Sequence, residues 1–187
     1  MSKILILTPV KNATKNLDGY FQLLKQLTYP KHLISVGLLE GDSDDGTLPA
    51  IEKRLPTLNQ TFRKVAVWKR DYGFNIPEGM FRWSKDIQVQ RRSTLAKCRN
   101  YLLSKALQDE DWVLWIDVDV IEYPKNIIEL LLATNKNIVH PNCVRAYGGD
   151  SFDLNAWRDK GKKHLHDLKA EGNFCLLYTS PSPRDRG

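Results

Sequence analysis

The chain has 187 residues, 42% hydrophobic and 27% charged, which suits one globular domain with a real core and excludes a largely disordered chain. Its formal charge of +6 suits an anionic ligand such as a nucleotide diphosphate, a membrane surface or nucleic acid. No long Lys/Arg run is present, so a nucleic-acid arm is not expected, and the widely spaced Cys98, Cys143 and Cys175 form no CxxC pair for a structural zinc site.

Ile4-Leu5-Ile6-Leu7 is a continuous apolar run and predicts a strand buried on both faces, ended by Thr8-Pro9. The apolar stretch from Met1 to Val10 is too short for a signal peptide or a membrane span, so a cytoplasmic protein is expected. Leu17, Tyr20, Phe21, Leu24 and Leu27 follow helical spacing, and Tyr29-Pro30 closes that helix. A second strand is predicted over 33–39, then a polar turn-rich loop over 41–47 and a helix over 47–58 weakened by Pro49 and Pro56. Val65-Ala66-Val67-Trp68 is a third strand, and 70–85 is irregular. Residues 89–107 form a helix with Leu95, Leu102, Leu103 and Ala106 as its apolar positions. Val113 to Ile116 is a fourth buried strand, 125–133 a helix after Pro124, and 138–140 a short strand. Strands alternating with helices imply crossover units and a mostly parallel sheet, whose ligands sit beyond the carboxyl ends of the strands.

The sharpest chemical signal is Asp117-Val118-Asp119 at the end of the fourth strand. On an extended chain, carboxylates two residues apart point to the same side. They can hold a hard divalent cation through oxygen, with diphosphate oxygens completing its shell, and that cation would neutralise charge on a departing nucleoside diphosphate. Thr8, Pro9, Val10 and Asn12 follow the first strand and can contact a nucleotide, although an ordinary turn accounts for them equally well. Glu40 and Asp42 follow the second strand and can accept hydrogen bonds from a base or ribose, while Asp44 or Asp45 can cap the next helix. Lys97 and Arg99 lie in the helix before the Asp pair, where Arg99 offers a planar donor fork to phosphate or ribose oxygens.

In this order the segments resemble GT-A glycosyltransferases, with the fungal Golgi mannan polymerase subunits of glycosyltransferase family 62 as the nearest likeness. The likeness is carried by Ile4-Leu5-Ile6-Leu7-Thr8-Pro9, Asp44-Asp45-Gly46-Thr47, Arg99-Asn100-Tyr101-Leu102-Leu103 and the run from Asp111 to Asp119. It continues through Ile138 to Cys143 and Phe152 to Trp157, and covers about Lys3 to Gly172. The resemblance implies a GT-A fold, a Rossmann-like, mostly parallel sheet flanked by helices and incomplete at its C-terminus. It also implies a GDP-mannose donor, a manganese ion (Mn2+ or another divalent cation) and retaining transfer of mannose to a saccharide acceptor. It implies that Asp119 binds the metal directly and that Asp117 contacts the metal shell or the ribose. No membrane anchor of the fungal kind is found, so Golgi residence is not carried over; association with a complex or a membrane surface is compatible with the likeness. The family's metal-binding His and acceptor region are not found either, and His164 and His166 read as surface residues. No catalytic residue is named.

Two other readings stand beside this one. A haloacid-dehalogenase-type phosphatase also carries D-x-D-x-V after an apolar strand and would use Asp117 as nucleophile, but that motif normally opens its domain, whereas three strands precede it here. A non-catalytic nucleotide-binding subunit of a glycosyltransferase complex is the other. The domain is expected to occupy 1–174. From Cys175 the sequence turns Pro/Ser-rich, and a back-translation of it resembles a sequencing-library adapter, so 175–187 is expected to be a non-native tail.

Overall fold

The computed structural model describes residues 1–80, 85–141 and 143–144. The motif at Phe152–Trp157, His164, His166 and the tail at 175–187 lie outside the described residues. The chain divides into two compact units, Met1–Ile127 and Ile128–Gly187.

In the first unit four parallel strands, β1 (Ile4–Val10), β2 (Ile34–Glu40), β3 (Lys64–Lys69) and β4 (Trp112–Trp115), stand in the order β3-β2-β1-β4. Helices α1 (Leu17–Gln26), α2 (Thr47–Glu52), α3 (Leu55–Thr61) and α4 (Lys85–Ala106) connect them. β1 and β2 are buried almost throughout, as apolar runs in a sheet covered on both faces must be. Leu5, Leu7 and Leu39 point to one face and pack with Leu102 and Ala106 of α4. Gly37 makes that approach possible: a Cβ there would stand 2.8 Å from Leu7 Cδ2 and 3.0 Å from Ala106 Cβ. On the other face, Thr8 meets Tyr20 of α1.

Several boundaries differ from the sequence reading, each for a physical reason. The helix expected over 47–58 is two helices with a turn at Lys53-Arg54, because Pro56 sits in the first turn of α3 and cannot continue α2. Leu95 of α4 is 40% exposed rather than a core position. The strand expected at 138–140 is absent, and no strand is assigned there. β1 runs on through Pro9 to Val10 instead of stopping at Thr8-Pro9. Leu7 O accepts from Ile116 N on the β4 side, and Val10 O accepts from Gly41 N on the β2 side. By the two-residue alternation of a strand, Pro9 therefore turns its missing N–H toward β4, beyond the last paired residues, Leu7 and Trp115.

The amino edge of the sheet carries an ionic network. Lys3 and Arg63 both donate to Asp109, and Arg63 also donates to Glu110. Hydrogen bonds from Lys3 and Arg63 hold the Asp109 carboxyl down at about 2. Part of the basic excess is thus neutralised at the edge away from the candidate site. α5 (Ile127–Ala133) leads into the second unit and ends in a turn, where Asn135 takes a positive φ of 51°. Among the described residues no helix is long and apolar enough to cross a membrane.

Candidate functional site

The carboxyl ends of the strands deliver the loops after Val10, Glu40, Lys69 and Trp115 to one edge. Asp117 and Asp119 are both there and both exposed. They are not on an extended chain, as the spacing argument supposed. β4 stops at Trp115, and Asp117 to Val120 form a turn closed by Val120 N donating to Asp117 O at 3.2 Å. The reason lies in β1: Pro9 has no N–H with which to carry the ladder past Trp115. The Arg99 guanidinium lies 3.7 Å from Asp117 and 5.3 Å from the Trp115 ring centroid. Both partners of that ion pair are about half exposed, so its own contribution to stability is small, and its consequence is placement of a donor fork beside the carboxylates.

Thr8 is completely buried beneath this edge rather than on it. Its hydroxyl donates to Ile116 O at 2.6 Å and so must accept from Tyr20 OH at 2.7 Å. Burial pushes the Tyr20 phenol far above its ordinary range, keeping it a neutral donor. Thr8 thus fixes the residue immediately before Asp117. Val10 is buried, and Pro9 is half-buried. Asn12 takes a positive φ of 49°, its amide donates to Ser43 Oγ, and its Oδ1 accepts from Asp44 N, so it sews the β1 loop to the β2 loop.

Glu40 is 2% exposed; one carboxylate oxygen accepts from Ser43 N at 3.1 Å, and Oε2 has no partner among the described residues. Asp42 adopts a φ of 56°, and its two oxygens accept from Tyr72 N at 3.1 Å and Gly73 N at 2.9 Å. Burial pushes its carboxyl up, but these amides and the Lys11 charge outweigh burial and leave it below the usual carboxylate range. Neither Asp44 nor Asp45 is the cap expected of them: the N-cap of α2 is Gly46, without a side-chain cap, and Asp45 just before it accepts from Thr47 N at 3.0 Å and from the Thr47 hydroxyl through Oδ1. Partial burial raises its carboxyl, and hydrogen bonds from Thr47 and Thr14 bring it down to about 2. Gly41 permits the crossing of β2 and β3 at this edge, since a Cβ would lie 2.3 Å from Arg70 O.

Residue spacing did not reveal Lys11, which spans the edge to Phe74 O at 2.8 Å and Asn75 Oδ1 at 2.7 Å. Nor did it reveal Arg70, Tyr72 and Tyr101, which cluster with Lys97 on the side of α4 away from Arg99. Two residues apart on a helix, Lys97 and Arg99 cannot share a face, and the structure parts them. The available signal was Lys97, Tyr101 and Ser104 at helical spacing, opposite an Arg-x-Tyr pair. A larger groove, about 470 Å3, is lined by residues of α1, Lys53-Arg54 and α3 and contains none of the carboxyl-edge residues.

Among the described residues no three His, Cys, Asp or Glu side chains gather to form a closed metal cage. Two exposed carboxylates at a strand end fit the other kind of divalent-cation site, in which substrate phosphates and water supply the remaining oxygens.

Four parallel strands flanked by helices make a GT-A-type fold. The chain belongs to the Anp1 family, a glycosyltransferase family, whose profile matches residues 1–176. It is 35% identical over 170 residues to the anp1 subunit of the mannan polymerase II complex of Schizosaccharomyces pombe, covering 84% of this chain and 40% of that protein. It is 30% identical over 169 residues to the mannan polymerase complex subunit mnn9 of the same yeast, covering 84% of this chain and 49% of that one. The chain therefore spans less than half the length of these curated relatives. A solved mannosyltransferase from Pyrobaculum calidifontis, in complex with GDP-Man and Mn2+, superposes with a TM-score of 0.47 and 16% identity, over 66% of this chain and 29% of that one.

Proposed function

We propose that this chain carries the donor-binding half of a metal-dependent mannosyltransferase, which transfers mannose from GDP-mannose to a saccharide acceptor with retention. The observation that carries the reading is the Asp117-Val118-Asp119 turn at the carboxyl end of β4, with Arg99 3.7 Å from Asp117. Membership of a family whose relatives are mannan polymerase subunits supports the sugar.

In this reading Asp119 holds the divalent cation, Mn2+ by preference, and Asp117 contacts its shell or the ribose. When bound, the cation supplies charge neutralisation for the leaving diphosphate. Arg99 turns its fork from Asp117 to the diphosphate oxygens, for which a planar bidentate donor is suited. Thr8 contributes by holding Ile116, and hence the start of the Asp turn, in place before the donor arrives. The loops after β1 and β2 form the wall along the nucleoside, with Glu40, Asp42 and Asn12 bracing it. Preorganised donors and charges of this kind stabilise developing charge without reorganising during the reaction.

Because the relatives are complex subunits, a second reading is a nucleotide-binding subunit that serves a catalytic partner. The phosphatase reading fares worse, because β4 is at the end of the described sheet and follows three strands in the chain. The deciding experiment incubates the full-length protein with GDP-mannose, Mn2+ and a mannose oligosaccharide and follows GDP release and the anomeric configuration of the product. Retained mannosyl product supports the proposal. Tight GDP binding with neither transfer nor hydrolysis selects the subunit reading, and a phosphoenzyme on Asp117 selects the phosphatase.

A further inference from the structure

The sequence reading gives the base to Glu40 and Asp42, yet both are engaged in the fold. Glu40 is 2% exposed, and both oxygens of Asp42 already accept loop amides. Immediately beside them lies an open groove of about 360 Å3, lined by Arg70, Tyr72, Lys97, Asn100, Tyr101 and Ser104. It is continuous with the β2 loop: Arg70 N donates to Glu40 O at 2.9 Å, and Tyr72 N donates to Asp42.

The Arg70 guanidinium lies 4.4 Å from the Tyr101 ring centroid and 5.3 Å from that of Tyr72. Two aromatic faces hold the cation by their quadrupoles. Among the described residues no carboxylate or carbonyl is bonded to its side-chain N–H groups. The result is an exposed, preorganised fork with no protein acceptor among the described residues. Tyr72 itself is fixed at both ends, its amide on Asp42 and its hydroxyl donating to Lys97 O at 3.2 Å. Lys97 and Asn100 add further donors along the same wall, and among the described residues no acidic side chain lines the groove.

We infer that Arg70 reads the base of the donor nucleotide, and that it selects guanine by donating to O6 and N7. This rests on the nucleotide-sugar reading above. Guanine presents two acceptors side by side on that edge, which matches an arginine fork. Adenine presents an acceptor and a donor there, and uracil and cytosine have no N7, so each wastes at least one N–H of the fork. Asp42 is then a positioning residue: it aligns Tyr72, and Tyr72 with Tyr101 aligns Arg70.

The test is calorimetry of the 187-residue chain with Mn2+ and four probes: GDP, 7-deaza-GDP, UDP and inorganic pyrophosphate. Wild type is expected to bind GDP about tenfold or more tightly than 7-deaza-GDP or UDP, the order of one bidentate contact. Arg70→Ala should lose that preference and leave pyrophosphate affinity unchanged. Arg70→Lys keeps the charge and most of the stem but not the fork, and should lose it too with an unaltered thermal midpoint. Unchanged GDP preference in both variants overturns the inference and leaves the mannosyltransferase reading standing. Loss of pyrophosphate affinity in parallel with GDP shows a phosphate site instead and likewise overturns it. Failure of wild type to bind any of the four overturns both readings together.

Discussion

Replacing Thr8 by valine preserves its volume and removes only the hydroxyl that ties β1 to α1 and to Ile116. Two buried groups are then left unpaired, Ile116 O and Tyr20 OH, the latter on a residue only 1% exposed. An orphaned buried polar group costs about 1–3 kcal/mol, so Thr8→Val should destabilise the chain by about 2–6 kcal/mol. Tyr20→Phe alone removes one donor and leaves the Thr8 to Ile116 bond, at a cost of about 1 kcal/mol. In the double variant only Ile116 O remains unpaired, so the two changes should fall short of additivity by about 1 kcal/mol or more. Urea unfolding of the four proteins, followed by tryptophan fluorescence, measures the cycle. Thr8→Ser, which retains the hydroxyl, should behave nearly as wild type. Strict additivity, or a Thr8→Val protein as stable as wild type, would refute the assignment of Thr8 as the tether of the Asp turn.

Gly41→Ala places a Cβ where Arg70 O stands at 2.3 Å, a backbone clash that no rotamer relieves. It should cost about 1–3 kcal/mol and speed exchange of the Arg70 amide, which now donates to Glu40 O; an equally protected amide would contradict the packing described. Asp45 titrates at about 2 in the folded chain, against about 3.9 in an unfolded one. Its depressed folded value means that its stabilisation is present above about pH 4 and is lost as pH falls toward 2. Asp42 shifts in the same direction. Asp45→Asn should therefore flatten the fall of the thermal midpoint across that window, and an unchanged profile would show that the Asp45 contacts with Thr47 and Thr14 contribute nothing.

The sheet was legible because its strands announce themselves as apolar runs. Ile4 to Leu7 has no polar face to confuse the reading, and burial on both sides of a parallel sheet produces that pattern; Val113 to Ile116 is as apolar, but β4 stands at the sheet edge and none of Trp112 to Trp115 is fully buried, so the buried fourth strand expected from that run is not found. The Asp pair was legible for the same reason, as a break in such a run. What the sequence concealed was long-range. Thr8 was expected to contact a nucleotide from the end of the first strand, and only the fold brings Ile116 and Tyr20 to its hydroxyl. Asp42 was expected to face a ligand, but its positive φ turns it toward the amides of Tyr72 and Gly73, about thirty positions away. The irregular stretch after β3 carried no periodicity, so nothing local marked Arg70 as the partner of Tyr101. Pro56 and Pro9 were both visible; the first split a helix, while the second stays in β1, paired with β2, and ends only the ladder with β4.

The central claim is that Asp117 and Asp119 bring a divalent cation to a nucleoside diphosphate at the carboxyl edge of this sheet. Calorimetric titration of GDP into wild type and Asp119→Asn, each with and without Mn2+, tests it most directly. The account predicts that Mn2+ strengthens GDP binding to wild type by about tenfold or more, equivalent to about 1.4 kcal/mol, and leaves Asp119→Asn unaffected. Equal Mn2+ dependence in the two proteins, or none in wild type, would contradict it.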